Sequence, residues 1–283
     1  MRELTIRAND AGQRLDKFLS KALRDIPPAL MYKAIRTKKI KVNRKRAEGK
    51  QILLEGDTVQ LFLADEFFAD GEGEAKHDLA RITPRLSVLY EDEYILLLNK
   101  RPGILVHEDA AERGDTLLTH LQAYLFQKGE YDPDAEQSFA PALCNRIDRN
   151  TGGIVIAAKT AEALRVMNRK IRDDEVHKFY LCAVHGRPKP PEATLTGYLI
   201  KNSAENTVKV YDKNPGRGAK EIRTRYRTVA VKGDRALLEI ELLTGRTHQI
   251  RAHMAHIGHP LLGDGKYGIN RADRAEGYKY QAL

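Results

Sequence analysis

The sequence predicts an α+β fold: a mixed, mainly antiparallel sheet with flanking helices, preceded by a small basic α/β module. Three observations carry this reading. The windows that suit helices are few and short, among them "RLDKFLSKAL" and "AEALRVMNRKIRD". Strand-like runs are numerous and crowd together after residue 86. Their order also lacks the regular βαβ alternation that builds a parallel sheet. At 283 residues, 42% of them hydrophobic, the chain is long enough for about two domains with ample cores.

Taken in order, Leu15, Phe18, Leu19 and Ala22 recur at spacings of three and four, a helical period. Pro27 and Pro28 end that helix, and "ALMYKAIRTK" suits a second. "KIKVN" alternates basic and apolar residues as a half-buried strand would, and "GDTVQLFL" is a strand after a turn. These elements define a module over 1–63. Residues 64–85 are acidic, contain "GEG" and hold no sustained period, so they read as a linker, with Phe67 and Phe68 free to dock. The larger domain spans 86–283. "SVLYEDEYILLLNKRPG" gives two strands around an acidic turn, "TLLTHLQAYLFQK" a helix, "GIVIAAK" a buried strand and "AEALRVMNRKIRD" the helix after it. In "KFYLCAVHG" strand alternation turns Tyr180 away from Phe179 and Leu181. Residues 194–243 add several strands, including "TRYRTVAVK" and "ALLEIELLTG".

The charge is local. The formal net charge is +9, yet residues 14–50 alone hold 13 Lys and Arg against 3 Asp and Glu, which leaves the other 246 residues at −1. Such a patch is the footprint of a polyanion, and with no strong apolar face beside it nucleic acid is favoured over a membrane surface. No window approaches the roughly 18 apolar residues of a membrane span, and "MRELTIRAND" lacks a secretory core. Cys144 and Cys182 stand in no metal-ligand spacing. The chain reads as a reduced, cytoplasmic protein.

Two stretches could carry chemistry. In "NRIDRNTGGIVIAAK" (145–159) a single carboxylate, Asp148, stands between Arg146 and Arg149 at a bend before a buried strand. A turn uses Asn, Gly or Asp but has no need of Arg-Ile-Asp-Arg. An arginine partner would favour the charged form of Asp148, leaving a nucleophile or an electrostatic stabiliser; an ion-paired surface turn is the plainer alternative. "TGRTHQIRAHMAHIGHPLLGD" (244–264) holds Arg246, His248, Arg251, His253, His256 and His259. Zinc needs three or four converging ligands. If 247–257 is helical, His253 and His256 share a face while His248 lies off it, so no metal site is expected. Nothing matches a phosphate-binding or dinucleotide fingerprint. Tyr180 is a core residue by default, or a ring that stacks on a flipped base.

These residues carry a resemblance. "NRIDRNTGGIVIAAK" resembles the His-Arg-Leu-Asp-x-x-Thr-Ser-Gly signature, with its following apolar strand and Ala-Lys, of the RluA family of RNA pseudouridine synthases. "VLYEDEYILLLNKRPGILVH", "HKFYLCAVHG" and "LLTGRTHQIRAHMAHIGHPLLGDGKYG" resemble three further family segments in the family's order. Residues 14–62 resemble the S-four RNA-binding domain. The resemblance implies that Asp148 is the essential aspartate, Arg251 its arginine partner, and Tyr180 the ring against the target base. Arg146, Thr151, Arg246 and His248 would contact substrate. Arg14, Lys17, Lys33, Arg36, Lys38, Lys39, Lys41 and Arg44 of the basic module would contact RNA. The implied reaction breaks the uridine base–sugar bond, turns the base and rejoins it through carbon 5. It needs no metal and no diffusible cofactor, because substrate and product are isomers. Ribosomal RNA is the expected partner, with transfer RNA open, and a monomer the expected state. Asn145 stands where the family carries His, and Gly152 where it carries Ser. The rival readings are a non-catalytic RNA-binding or ribosome-assembly protein, a metal-dependent RNA hydrolase built on the histidines, and a glycosidase using Asp148 that would release uracil.

Overall fold

In the computed structural model, residues 1–23, 26–68, 74–108, 114–268 and 270–283 are described. The chain divides into two compact units, each discontinuous in sequence. One comprises Met1–Leu98, His107–Asn145 and Val155–Asn168; the other comprises Asn99–Val106, Arg146–Ile154 and Arg169–Leu283.

The first unit begins with β1 (Arg2–Thr5), α1 (Leu15–Ala22), α2 (Pro28–Arg36), β2 (Ile40–Val42), β3 (Lys45–Arg46) and β4 (Thr58–Leu61). Its strands form a sheet in the order β1-β4-β2-β3. α1 buries Leu15, Phe18 and Leu19, the face expected from their spacing. α2 starts at Pro28, where a missing N–H breaks no helical bond. β2 and β3 are joined through Asn43 and Arg44 at φ 50° and 65°, the paired left-handed conformation that a two-residue hairpin demands. Leu15, Phe18, Leu19, Ile40, Leu53 and Leu61 are fully enclosed, each stabilising by about 1.5–3 kcal/mol. Polar contacts fasten this module to later parts of the unit: Asn9 Nδ2 donates to Glu136 Oε1 at 2.8 Å, Ser138 Oγ to Asp10 Oδ1 at 2.6 Å, and Arg165 Nη1 to the Ala11 carbonyl at 2.9 Å.

The segment expected to be a featureless linker is partly ordered. It contains a short 3₁₀ turn at Asp65–Phe67 and the helix α3 (Glu74–Arg81); residues 69–73, which include "GEG", lie outside the described residues. Phe68 joins the module's core, with the Arg2 guanidinium 4.4 Å above its ring. Leu79 is buried, and Gln127 Nε2 donates to the carbonyls of Leu79 and Ile82 where α3 ends. A partner from outside the helix satisfies its end, so local periodicity was a poor guide. The unit continues with β5 (Val88–Glu91), β6 (Ile95–Lys100), α4 (Leu117–Gln127), β7 (Ala142–Leu143), β8 (Gly153–Ala158) and α5 (Ala161–Arg172). The strand order is β5-β6-β8-β7, and the ends of β6, β8 and α5 run into residues of the second unit.

The second unit carries β9 (Phe179–His185), β10 (Glu192–Asn202), β11 (Thr207–Tyr211), β12 (Lys220–Lys232), β13 (Arg235–Leu242), α6 (Gln249–His256) and α7 (Asn270–Ala275). Its five strands form an antiparallel sheet in the order β11-β10-β12-β13-β9. Alternate residues of β9, β12 and β13, including Cys182, Val184, Tyr226, Leu238 and Ile240, form one core with Ile250 and Met254 of α6. Tyr180 packs against this core, whereas Phe179 and Leu181 are 61% and 58% exposed, as strand alternation requires. Gly263 sits at φ 71°, where an added Cβ would lie 2.3 Å from the Tyr280 carbonyl oxygen. That close approach seats residues 280–283 beside β9: Ala282 N donates to the Leu262 carbonyl at 2.8 Å, and Ala183 N to the Ala282 carbonyl at 3.1 Å.

Candidate active site

The turn holding Asp148 is built by backbone bonds. Thr151 N donates to the Asp148 carbonyl at 3.0 Å, closing the turn, and Gly152 N donates to the Leu283 carbonyl at 3.3 Å. Thr151 is buried, and its hydroxyl accepts from Gln281 Nε2 at 3.2 Å. Enclosed and already bonded, Thr151 supports the turn that holds Asp148. Asn145, in the first unit, accepts from Ile156 N at 2.8 Å through its side chain.

Beneath the turn lies Lys100, only 1% exposed, whose Nζ donates to the carbonyls of Arg101, Ile104 and Arg149 at 3.1, 2.9 and 2.8 Å. Three ammonium protons meet three acceptors, which ties the backbone at 101–104 to the turn at Arg149. Burial lowers the Lys100 pKa to about 8 against the opposing pull of Asp148.

Asp148 pairs with neither arginine beside it in sequence. Its Oδ2 accepts from Nη1 of Arg251, on α6, at 2.8 Å. Arg251 also donates through Nε and Nη2 to both oxygens of Asp264, at 2.7 and 2.9 Å. Asp264 is fully buried and further accepts from the backbone N–H groups of Lys266 and Tyr267. Burial alone would lower the Arg251 pKa and raise that of Asp264; their mutual attraction and hydrogen bonds outweigh it, and both shift the opposite way. The guanidinium lies 5.3 Å from the Tyr267 ring centre. Arg251 is therefore a fixed positive charge with one face turned to Asp148.

Tyr180 is half-buried, and its pKa is raised by burial and by the charge of Asp148. His248 Nε2 lies 3.7 Å from Asp148 Oδ2, and burial lowers its pKa. Arg146 and Arg246 are exposed, and neither side chain makes a hydrogen bond or ion pair among the described residues. Asp148, Tyr180, Arg251 and His248 thus converge, while Arg146 and Arg246 remain available to a ligand. The histidines of 244–264 do not converge: His248 bonds Tyr267, His253 bonds Thr224, His256 bonds Asp212, and His259 bonds the His185 carbonyl. Among the described residues no group of three His, Cys, Asp or Glu is poised around one point. Sequence reasoning missed Asp264, Tyr267, Lys100 and Gln281. The first two stood in "GDGKYG" and Lys100 in "NKRPG", both inside stretches already marked as motifs, where a signal was available.

In the basic module, Lys17, Lys33, Arg36, Lys38, Lys39 and Arg44 are exposed, and Lys41 is half-exposed with its ammonium 5.3 Å from the Phe62 ring centre. None of these seven pairs with a carboxylate among the described residues. Arg14 does: it is 41% exposed and forms an ion pair with Asp16, which also accepts from the Tyr32 hydroxyl.

A constellation of carboxylate, guanidinium and phenol beside free arginines suits charge stabilisation on a polyanionic ligand, and the family model described as RNA pseudouridylate synthase matches residues 94–256. The chain belongs to the RNA pseudouridylate synthase family. Enzymes of this family isomerise uridine to pseudouridine in RNA. The S4 domain model matches residues 13–59. Ribosomal large subunit pseudouridine synthase C of Vibrio vulnificus strain CMCP6 is 31% identical over 269 residues, covering 93% of this chain and 79% of that protein. The protein of that name from Escherichia coli strain K12 is 31% identical over 275 residues, covering 96% and 81%. Human RNA Pseudouridylate Synthase Domain Containing 1 shares the fold with TM-score 0.55 at 23% identity, covering 70% of this chain and 76% of that one. No helix among the described residues is long and apolar enough to cross a membrane.

Proposed function

We propose that this pseudouridine synthase acts on uridines of ribosomal RNA, with residues 1–63 as the RNA-anchoring domain, 64–85 as the joining segment and 86–283 as the catalytic domain. The ribosomal substrate is supported by the names of the relatives together with the S4 match. A single contact carries the assignment of the chemistry: the Arg251 guanidinium, itself held by buried Asp264, meets Asp148 at 2.8 Å.

In the isomerisation the bond from N1 to the ribose C1′ breaks, a bond from C5 to C1′ forms, and the proton on C5 is lost as N1 gains one, so nothing enters or leaves. Asp148 acts as the charged group, as a nucleophile at sugar or base or as a stabiliser of the departing base; both routes need an anion held in place, which Arg251 provides. Tyr180, close enough to Asp148 to feel its charge, is the group proposed to pack on the base and mediate loss of the C5 proton. Its raised pKa keeps the phenol protonated, so it takes the C5 proton only as its own hydroxyl proton passes on toward N1, which needs one. Arg146 and Arg246 hold the flipped nucleotide and its phosphates, with His248 beside Asp148.

The test is a pseudouridine map of ribosomal and transfer RNA from cells lacking the protein, restored with wild type or with Asp148→Asn. Asn keeps the shape and loses the charge, so turnover should fall on the order of a thousandfold or more while RNA affinity stays within about twofold. Sites in ribosomal RNA that vanish on deletion and return only with wild type would support the proposal. Sites confined to transfer RNA, or restored equally by Asp148→Asn, would sink it.

A further inference from the structure

His248 stands at φ 53° and ψ 19°, immediately before α6, with no side-chain capping bond. A left-handed backbone is unfavourable for a non-glycine residue, and such an outlier motivates a search for function. Here it turns the imidazole away from the helix end and between two partners. Nδ1 lies 2.9 Å from the Tyr267 hydroxyl, and Nε2 lies 3.7 Å from Asp148 Oδ2.

The proton positions follow from the neighbours. Val208 N donates to the Tyr267 hydroxyl oxygen at 2.9 Å. The phenol's own proton then needs an acceptor, and His248 Nδ1 is the one within reach among the described residues. Burial raises the Tyr267 pKa and lowers that of His248, so the phenol keeps its proton and the imidazole stays neutral near pH 7. A neutral ring whose Nδ1 accepts must carry its hydrogen on Nε2. That hydrogen faces Asp148 Oδ2, the oxygen that Arg251 Nη1 already engages. Among the described residues no donor engages Oδ1.

We infer that Val208, Tyr267 and His248 form a proton-ordered relay that presents an imidazole N–H to Oδ2 of Asp148, leaving Oδ1 as the oxygen that reacts. The relay rests on Asp148 being the reacting carboxylate. His248 is a positioning residue: together with Arg251 it pins one oxygen and so sets the direction of the other. At 3.7 Å the contact is just longer than a hydrogen bond, and contacts of this kind shorten as substrate closes a site. Tyr267 serves the relay three ways, since its ring lies beneath the Arg251 guanidinium, its backbone N–H binds Asp264, and its hydroxyl sets the tautomer.

Two isosteric substitutions separate the relay from mere packing. Glutamine carries an amide N–H near the position of Nε2, whereas asparagine reaches only to that of Nδ1 and tolerates the left-handed backbone. His248→Asn should lower kcat about tenfold with KM within about twofold, and His248→Gln should recover most of that loss. The tautomer is read without RNA, from the imidazole ¹⁵N shifts of the full-length protein with His248→Asn as the assignment control. Wild type should show a neutral His248 protonated on Nε2, and Tyr267→Phe should shift it toward a mixture of tautomers. An Nδ1-protonated ring in wild type overturns the relay. So does wild-type kcat in His248→Asn, or a His248→Gln no better than His248→Asn at equal thermal midpoint. An inactive wild type would instead count against Asp148 as the reacting group, with the proton order still decided by the spectrum.

Discussion

Asp264 is a carboxylate with no access to water, and its charge is balanced by one guanidinium and two backbone N–H groups. Removing one partner of a buried pair costs about 3–5 kcal/mol, because the other is left uncompensated. Asp264→Asn is therefore expected to lower unfolding free energy by about that amount. Arg251 would turn more fully toward Asp148 or swing away, and kcat should fall more than KM rises. Denaturant melts and steady-state kinetics check both. At this scale the sequence was legible where a residue type was anomalous for its surroundings, as Asp148 is between two arginines. It was not legible where partnership is made across space. The arginine that pairs with Asp148 lies 103 residues downstream, and neither Arg146 nor Arg149 takes that role. Thr151 stood in a motif beside Asp148 yet faces Gln281, since backbone direction within a turn, not proximity in sequence, decides what a side chain meets.

α6 is the element on which the site turns. Gln249, Arg251 and His253 are all buried on a helix of eight residues. Polar residues enclosed on several sides blur the apolar stripe that marks an amphipathic helix, which is why its helicity stayed open in the sequence while the alternating strands β9, β12 and β13 were clear. α3 escaped for a related reason, as bonds from Gln127 close its end. His253 has a measurable cost. Burial first, then the charge of His256, pushes its pKa down to about 4. The unfolded chain thus binds a proton below its ordinary value of 6.5 that the folded one refuses, so stability present above pH 6.5 is lost as pH falls toward 4. The slope is up to about 1.4 kcal/mol per pH unit from this group. His253→Asn, whose amide reaches the position of Nδ1 and can still bond the Thr224 hydroxyl, should flatten the thermal midpoint between those limits.

For the whole molecule the sequence was informative about charge and silent about junctions. Residues 14–50 carry +10 while the remainder sums to −1, and seven of the cations singled out there have no carboxylate partner among the described residues. If roughly five of them meet phosphates, the log–log slope of RNA affinity against salt should be about −3.5 to −4.5. Replacing Lys33, Lys38 and Lys39 by Ala should reduce that slope by about 2–3 and raise KM, with kcat at saturation unchanged; binding titrations at several salt concentrations decide it. The bonds from Asn9, Asp10 and Ala11 to Glu136, Ser138 and Arg165 span 127 to 154 residues and left no mark that reading along the chain could find. Chain order has one more effect. Asp148 is synthesised 103 residues before the arginine that holds it, and Thr151 130 residues before its partner Gln281. A growing chain consequently exposes its carboxylate long before the parts that aim it. Under the proposed mechanism, fragments released by a stalled ribosome between residues 148 and 251 would carry the basic module and the aspartate without the arginine that holds it, and so would bind RNA without turning it over.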